Sequence, residues 1–119
     1  MSVIALTGAT GFVGGTTLTR LLEAGHSVRA LTRRDQAERA GVAWVKGTLT
    51  DADALSTLVA GADAVLHIAG VVNAPDHAGF VEGNVTGTAM LIDAAKSAGV
   101  RRFVCVSSLA AREPGLSDY

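Results

Sequence analysis

The chain has 119 residues, of which 49% are hydrophobic but only 4% aromatic, and its formal net charge is −1. This length allows one domain with an aliphatic core, and scattered basic residues do not indicate a nucleic-acid surface. The single cysteine, Cys105, cannot form an internal disulfide, which fits a reducing compartment. Residues 1–19 lack the basic segment of a signal peptide, and no apolar run approaches the roughly 20 residues of a membrane span. We therefore expect a cytoplasmic protein that binds neither nucleic acid nor membrane.

Short apolar runs alternate with amphipathic stretches along the whole chain. In chain order, the predicted elements are strand 3–6, helix 17–24, strand 27–32, a short polar helix 35–40, strand 42–45, helix 51–60, strand 64–68, helix 80–98 and strand 103–106. Glycines at positions 25, 61 and 99 mark the ends of three of these helices. Residues 69–79 and 111–119 are predicted to be loops.

This alternation predicts an α/β fold of the Rossmann type, a doubly wound parallel sheet with strand order 3-2-1-4-5. A ligand crevice is expected at the carboxyl ends of strands 1 and 4, where the order reverses. No helix is predicted after the fifth strand, so one face of that strand is expected to lack a cover. We therefore expect residues 1–119 to be a dinucleotide-binding domain that is incomplete at its C-terminus.

The stretch from Gly8 to Gly14 has the spacing G-x-x-G-x-x-G between the first strand and the first helix. Gly8 allows a tight turn, Gly11 lets the backbone approach a pyrophosphate, and Gly14 allows close packing of helix on strand. The N–H groups at the start of the helix then face the phosphates. A purely structural glycine turn is the alternative interpretation.

Four segments, residues 7–14, 67–70, 84–88 and 103–108, occur in the order and spacing of one family. The chain resembles the extended and atypical short-chain dehydrogenase/reductases, in particular their NAD-dependent epimerase/dehydratase branch. The resemblance implies cofactor contacts from Gly8, Thr10, Gly11, Phe12, Val13, Gly14, Thr32, Arg33, Arg34, Thr48, Leu49, Ala69, Gly70 and Val71. It also implies two catalytic residues, Ser108, which orients a substrate oxygen, and Tyr119, which acts as general acid and base. The family's lysine would follow Tyr119 by four positions, beyond residue 119, so little catalysis is expected of the chain alone.

The residues at the end of the second predicted strand help to distinguish NAD from NADP as the cofactor. Family members that prefer NAD usually have an acidic residue there, which binds the ribose 2′-hydroxyl. This chain instead has Thr32, Arg33 and Arg34, and two guanidinium groups could hold a 2′-phosphate. The prediction is therefore NADP first and NAD second, with a solvated basic turn as the structural alternative. Thr48 stands where the family commonly has an aspartate near the adenine amino group, and Asp51 is expected to cap the next helix.

Three residues are interpreted structurally rather than as part of the chemistry. His67 is expected to be a buried histidine whose ring is satisfied by the backbone. Cys105 is expected to be a packed and inert thiol. The resemblance implies that Asn84 ties its helix to the neighbouring strand, and an ordinary polar residue within a helix is the alternative. The three histidines are scattered along the chain, so no metal site is predicted.

Three functions remain open from the sequence. The first is an NAD(P)-binding domain of an oxidoreductase or a nucleotide-sugar epimerase/dehydratase that acts on a small-molecule substrate. The second is a non-catalytic regulator or assembly scaffold that senses NADP(H). A flavodoxin-like domain is a weaker third option, because the glycine spacing argues against it. The sequence does not identify the substrate, and a homo-oligomer is possible.

Overall fold

The computed structural model describes residues 2–68 and 86–106. Within them the elements follow in the order β1 (Val3–Thr7), α1 (Phe12–Glu23), β2 (Ser27–Thr32), β3 (Val42–Lys46), α2 (Ala52–Val59), β4 (Ala64–His67), α3 (Gly87–Ser97) and β5 (Arg102–Cys105). Each strand agrees with its predicted range to within one residue at either end. The apolar runs bounded by glycine and polar residues were therefore a reliable signal for the sheet.

The five strands form one sheet in the order β3-β2-β1-β4-β5, as predicted. Every neighbouring pair is parallel, and β1 lies at the centre between β2 and β4. The chain passes from β3 at one edge to β4 on the far side of β1, so the direction of winding reverses between β1 and β4. Because parallel strands share one carboxyl edge, a crevice for a ligand is expected at that reversal.

The side chains of the strands divide the core into two layers, since they alternate between the faces of the sheet. Ala5 and Val65 belong to the layer covered by α2 and α3. Leu6 and Val28 belong to the opposite layer, where Leu18 of α1 is buried. The sheet is thus covered on both faces, which is why its central strands are apolar throughout.

The helices differ from the predictions more than the strands do. Helix α1 begins at Phe12, five residues before the predicted start, because the helical turn follows directly on the glycine loop. The short helix predicted over residues 35–40 is wrong, since no helix occurs there. Trp44 Nε1–H instead donates to the carbonyl of Ala37 at 3.2 Å, so a tertiary contact holds this segment. Helix α3 begins at Gly87, and positions 80–85 of the predicted helix lie outside the described residues.

Strand β5 lies at an edge of the sheet and is exposed. Val104 in the strand and Val106 directly after it keep 52% and 43% of their surface accessible. Cys105 is also exposed, so the prediction of a packed thiol is wrong. The apolar sequence around Cys105 suggested burial, but its side chain belongs to neither of the two core layers formed by the described residues. Among the described residues, no helix is both long and apolar enough to span a membrane.

Candidate dinucleotide-binding site

The turn from β1 into α1 is built on two glycines that touch each other. Gly8 has a φ of 79°, which places it in the left-handed region that favours glycine. A Cβ added to Gly14 would lie only 1.6 Å from the carbonyl oxygen of Gly8. The tight turn and the close helix–strand packing predicted for these two positions are therefore confirmed.

Gly11 occupies a different environment in the same loop. Its N–H donates to the carbonyl of Gly8 at 3.1 Å, and its φ of −85° suits any residue. A Cβ there would meet only the Gly8 oxygen, at an ordinary contact distance of 3.5 Å. Neither the backbone conformation nor the packing of this exposed position requires glycine. The absence of a side chain leaves free space beside the backbone, where a ligand could approach.

The amino end of α1 is open to an anion. No side chain among the described residues caps it, and its first turn contains no acidic residue. The first intrahelical bond runs from Gly15 N–H to the Gly11 carbonyl, so the N–H groups that precede Gly15 have no carbonyl partner within the helix. Phe12 and Val13 project from this turn with exposures of 92% and 53%, and Thr10 beside them is also exposed. The positive end of the helix dipole favours a phosphate here.

The end of β2 presents two arginines on the same edge of the sheet. The Thr32 hydroxyl donates to the carbonyl of Arg34 and accepts its N–H, which closes a tight turn. Both Arg33 and Arg34 are exposed. The neighbouring acid, Asp35, pairs with Lys46 at 3.2 Å, and no ion pair of either guanidinium occurs among residues 2–68 and 86–106.

The segment after β3 contributes a third part of the same edge. Thr48 and Leu49 follow the strand, and Thr48 Oγ1 lies 3.2 Å from Thr50 Oγ1. Asp51 caps α2 by accepting the Ala54 N–H at 3.1 Å, as predicted. A Cβ on Gly87 would lie 2.8 Å from Leu49 Cβ, so the start of α3 packs tightly against Leu49.

A buried histidine links the ends of β1 and β4 to α3. His67 Nδ1 lies 2.7 Å from Thr7 Oγ1, and His67 Nε2 lies 2.9 Å from Thr88 Oγ1. The Ile68 N–H donates to the same Thr7 hydroxyl at 3.0 Å. Burial of His67, which is 2% exposed, lowers the pKa of its ring, so the imidazole is neutral near pH 7.

The outcome for His67 is mixed. Its burial was predicted correctly, but the prediction of backbone partners is wrong, because the ring contacts two hydroxyl groups. The sequence analysis assigned no function to Thr7 or Thr88. Both lie in segments that carry the family resemblance, and this was the available signal.

The structure brings the residues of four strand ends to one edge. Residues from the glycine loop, the arginine turn, the segment after β3 and the end of β4 all lie at the carboxyl edge of the parallel sheet. Five predicted site residues lie outside the described residues: Ala69, Gly70, Val71, Ser108 and Tyr119. Among the described residues, no group of three or more histidine, cysteine or acidic side chains could hold a metal ion.

Two shallow cavities lie away from the glycine loop. One, of about 390 Å³, lies between β3 and α2 and includes Trp44 and Asp53. The other, of about 380 Å³, lies at the amino ends of the strands beside Val3 and Arg29. Neither includes a residue of the carboxyl-edge crevice except Lys46 and Asp51 at its margin. The candidate site is therefore argued from the loop, the helix end and the strand order.

The sequence matches the family described as NAD dependent epimerase/dehydratase over residues 4–116. The chain belongs to this epimerase/dehydratase family. It is 42% identical to a ceramide reductase of Caulobacter vibrioides, over 98% of this chain and 38% of that protein. It is 36% identical to a 3-beta-hydroxysteroid dehydrogenase of Mycolicibacterium neoaurum, over 88% of this chain and 31% of that protein.

A solved structure that is similar to this chain shows the same fold. The crystal structure of a short-chain dehydrogenase/reductase superfamily protein from Agrobacterium tumefaciens, with bound NAD, matches with a TM-score of 0.77 and 41% identity. The match covers 89% of this chain and 32% of that one. The chain thus spans about a third of the length of these relatives.

Proposed function

We propose that this chain binds a nicotinamide dinucleotide across the carboxyl ends of β1 and β4 and serves as the cofactor domain of an oxidoreductase. The observation that carries the proposal is the open space at Gly11, next to an uncapped helix end. A structural glycine turn needs Gly8 and Gly14, but it does not need Gly11. A pyrophosphate that approaches the backbone does need it.

Substitution of Gly11 tests this proposal directly. Gly11→Ala is expected to weaken binding of NADP and NAD by at least about tenfold, because the methyl group occupies space that the pyrophosphate needs. Gly15→Ala is the matched control, since its Cβ would lie an ordinary 3.6 Å from the Ala9 carbonyl oxygen. Titration calorimetry and thermal melts are measured on both variants. Equal affinities in wild type and Gly11→Ala would contradict the proposal.

We further propose NADP in preference to NAD. Support comes from the exposed Arg33 and Arg34 and from Asp35, whose carboxylate pairs with Lys46 rather than with either arginine. The charge-assisted hydrogen bonds of guanidinium groups suit a phosphate. The solved relative from Agrobacterium tumefaciens holds NAD and does not support this preference, so the choice must be tested by comparing the two cofactors.

An arginine pair at the opposite edge of the sheet supplies the control. Arg33→Ala with Arg34→Ala is expected to weaken NADP binding roughly ten- to a hundredfold and to leave NAD binding nearly unchanged, because only NADP has the 2′-phosphate. Arg101→Ala with Arg102→Ala removes the same charge at the amino end of β5 and is expected to change neither affinity. Equal losses for both cofactors in the first variant would show that these arginines do not recognise the 2′-phosphate.

For the chemistry we propose reduction of a ketone, or the reverse oxidation of a secondary alcohol. The names of two relatives, a reductase and a dehydrogenase, support this choice over epimerisation. When bound, NADPH would supply the hydride for the carbonyl carbon. In this proposal Tyr119 gives its proton to the carbonyl oxygen, and Ser108 orients that oxygen by a hydrogen bond.

The roles of the two residues can be tested with a 3-ketosteroid as the probe substrate and NADPH as the reductant. Only slow turnover is expected of the chain alone, and Tyr119→Phe is expected to abolish it while leaving the affinity for NADPH unchanged. NADPH binding without turnover fits both functions, because little catalysis is expected of residues 1–119 alone. A lysine four positions past Tyr119 in a longer protein would favour the enzyme, and another residue there would favour a regulator that senses NADP(H). A cytoplasmic location and a homo-oligomeric state stay predictions from the sequence.

A further inference from the structure

The hydrogen bonds of His67 lie where three elements meet beside the proposed cofactor. Thr7 is the last residue of β1 and directly precedes Gly8 of the glycine loop. His67 is the last residue of β4 and precedes the segment that the resemblance places against the cofactor. Thr88 is the second residue of α3. These residues are 60 and 21 positions apart from His67 along the chain, so only the fold brings them together.

Either neutral tautomer of His67 satisfies both contacts. If Thr7 donates to Nδ1, then Nε2–H donates to Thr88, and in the other tautomer both directions are reversed. The Ile68 N–H also donates to the Thr7 hydroxyl, which ties the exit of β4 to the exit of β1. No buried side-chain nitrogen or oxygen in the described part of the chain lacks a partner.

Burial of the imidazole and the hydroxyl groups costs desolvation free energy, but their hydrogen bonds favour a single arrangement of the elements that carry them. An apolar side chain at the end of β4 would fill the same space without burying an imidazole. A buried polar network that is fully satisfied specifies one arrangement of its elements, because any shift leaves a group unpaired. The arrangement specified here is that of the glycine loop, the exit of β4 and the start of α3.

We propose that His67 is a positioning residue of the dinucleotide site, which acts through Thr7 and Thr88 rather than by touching the ligand. It sets the glycine loop at a fixed distance from the start of α3 and so fixes the width of the crevice. This inference rests on the proposed function and adds a residue to it. Removal of either hydroxyl group should lower dinucleotide affinity even in molecules that are fully folded.

Thr88 offers a matched pair of variants for the test. Thr88→Val keeps the volume and the β-branch but removes the hydroxyl, whereas Thr88→Ser keeps the hydroxyl and removes a methyl group. We expect Thr88→Val to weaken NADP and NAD binding by about tenfold, the effect of removing one hydrogen bond from a buried network, and Thr88→Ser to bind like the wild type. Titration calorimetry on the full chain gives the affinities, and melts confirm that each variant is folded at the titration temperature.

His67→Gln and the double variant complete the experiment. The double variant with Thr88→Val is expected to bind no more weakly than His67→Gln alone, because both changes break the same link. If His67→Gln fails to fold, the affinities of the two Thr88 variants alone test the proposal. Equal affinities in wild type and a folded Thr88→Val would overturn the inference, as would equal decreases in affinity for Thr88→Val and Thr88→Ser. A wild type that binds neither dinucleotide is a different result, which overturns the proposed function and the inference that rests on it.

Discussion

Glycines at three positions of one loop are present for three different reasons. Gly8 is required by its backbone conformation, Gly14 by its contact with Gly8, and Gly11 by neither. The same residue type therefore separates into structural and ligand-related positions once the space around each Cα is known. Of the three glycines, only Gly11 is expected to give substitutions that weaken binding without lowering stability.

Gly14→Ala should act on stability. Its Cβ would lie 1.6 Å from the Gly8 carbonyl oxygen, which is backbone and cannot turn aside as a side chain could. We expect the free energy of unfolding to fall by at least about 2 kcal/mol. Gly15→Ala, one residue further along α1, should leave stability unchanged or raise it slightly. Denaturant melts measure both, and a Gly14→Ala protein as stable as the wild type would show that the loop can move away.

His67 should make stability depend on pH. Its pKa in the folded chain is lowered from 6.5 by burial, so the unfolded chain binds the proton first as the pH falls. The stability contributed by the neutral ring is fully present above pH 6.5 and is lost between this value and the lower pKa of the folded state.

Urea melts across this range can assign the effect to His67. His67→Gln is expected to remove that component of the pH dependence, and His26→Gln is the control. The His26 ring accepts the Ser2 N–H at the amino edge of the sheet. A wild-type profile that is unchanged in His67→Gln would contradict the assignment.

At the scale of an element, α2 is held at both ends by side chains. Asp51 caps its amino end. At its carboxyl end Arg29, which projects from β2, donates through Nη1 to the carbonyls of Thr57, Leu58 and Ala60. These carbonyls have no partners further along the helix, and a cation also favours the negative end of the helix dipole. An isolated helix of eight residues is marginal in water, so α2 is stabilised by burial of its apolar face together with these contacts at its ends.

Arg29→Met tests the contribution of this carboxyl-end contact. Methionine keeps an unbranched apolar stem but has no N–H donors, so the free energy of unfolding is expected to fall by about 1–2 kcal/mol. Arg20→Met, at an exposed position in the last turn of α1, is the control and should change it by less than about 0.5 kcal/mol. Amide exchange in α2 would show whether the effect is local. Equal effects of the two substitutions would mean that the carbonyl contacts of Arg29 contribute nothing measurable.

At the scale of the whole molecule, apolar side chains are exposed at one edge of the sheet. Val104 and Val106 are about half exposed, and Cys105 lies between them. The relatives are about three times as long as this chain. An exposed apolar edge strand favours association with other chains.

We expect the 119-residue chain to bind a hydrophobic dye and to scatter light as an associated species. Val104→Thr should reduce both signals, since it keeps the shape and lowers the apolar area. Val13→Thr is a matched control at an equally exposed valine, which lies in α1 rather than in β5. A monomer that binds no dye and melts cooperatively would show that the exposed edge does not drive association.

The sequence alone determined the parts of this fold that depend on local chemistry. The bounds of β2 were predicted to the residue, the strand order followed from the alternation of strands and helices, and Asp51 was identified as a cap. Gly8 and Gly14 were assigned their roles from spacing. Each of these features depends on neighbours a few residues away, or on the small number of ways in which parallel strands connect.

Only the tertiary structure decided which distant groups meet. Thr7 and His67 are 60 residues apart, and Arg29 reaches carbonyls about 30 residues away, so neither contact has a local signature. The segment 35–40 has helix-forming residues but no helix, and Cys105 sits in an apolar run but is exposed. In the last two cases tertiary context overruled the local pattern, because side-chain burial and partners depend on what the whole fold places beside a residue.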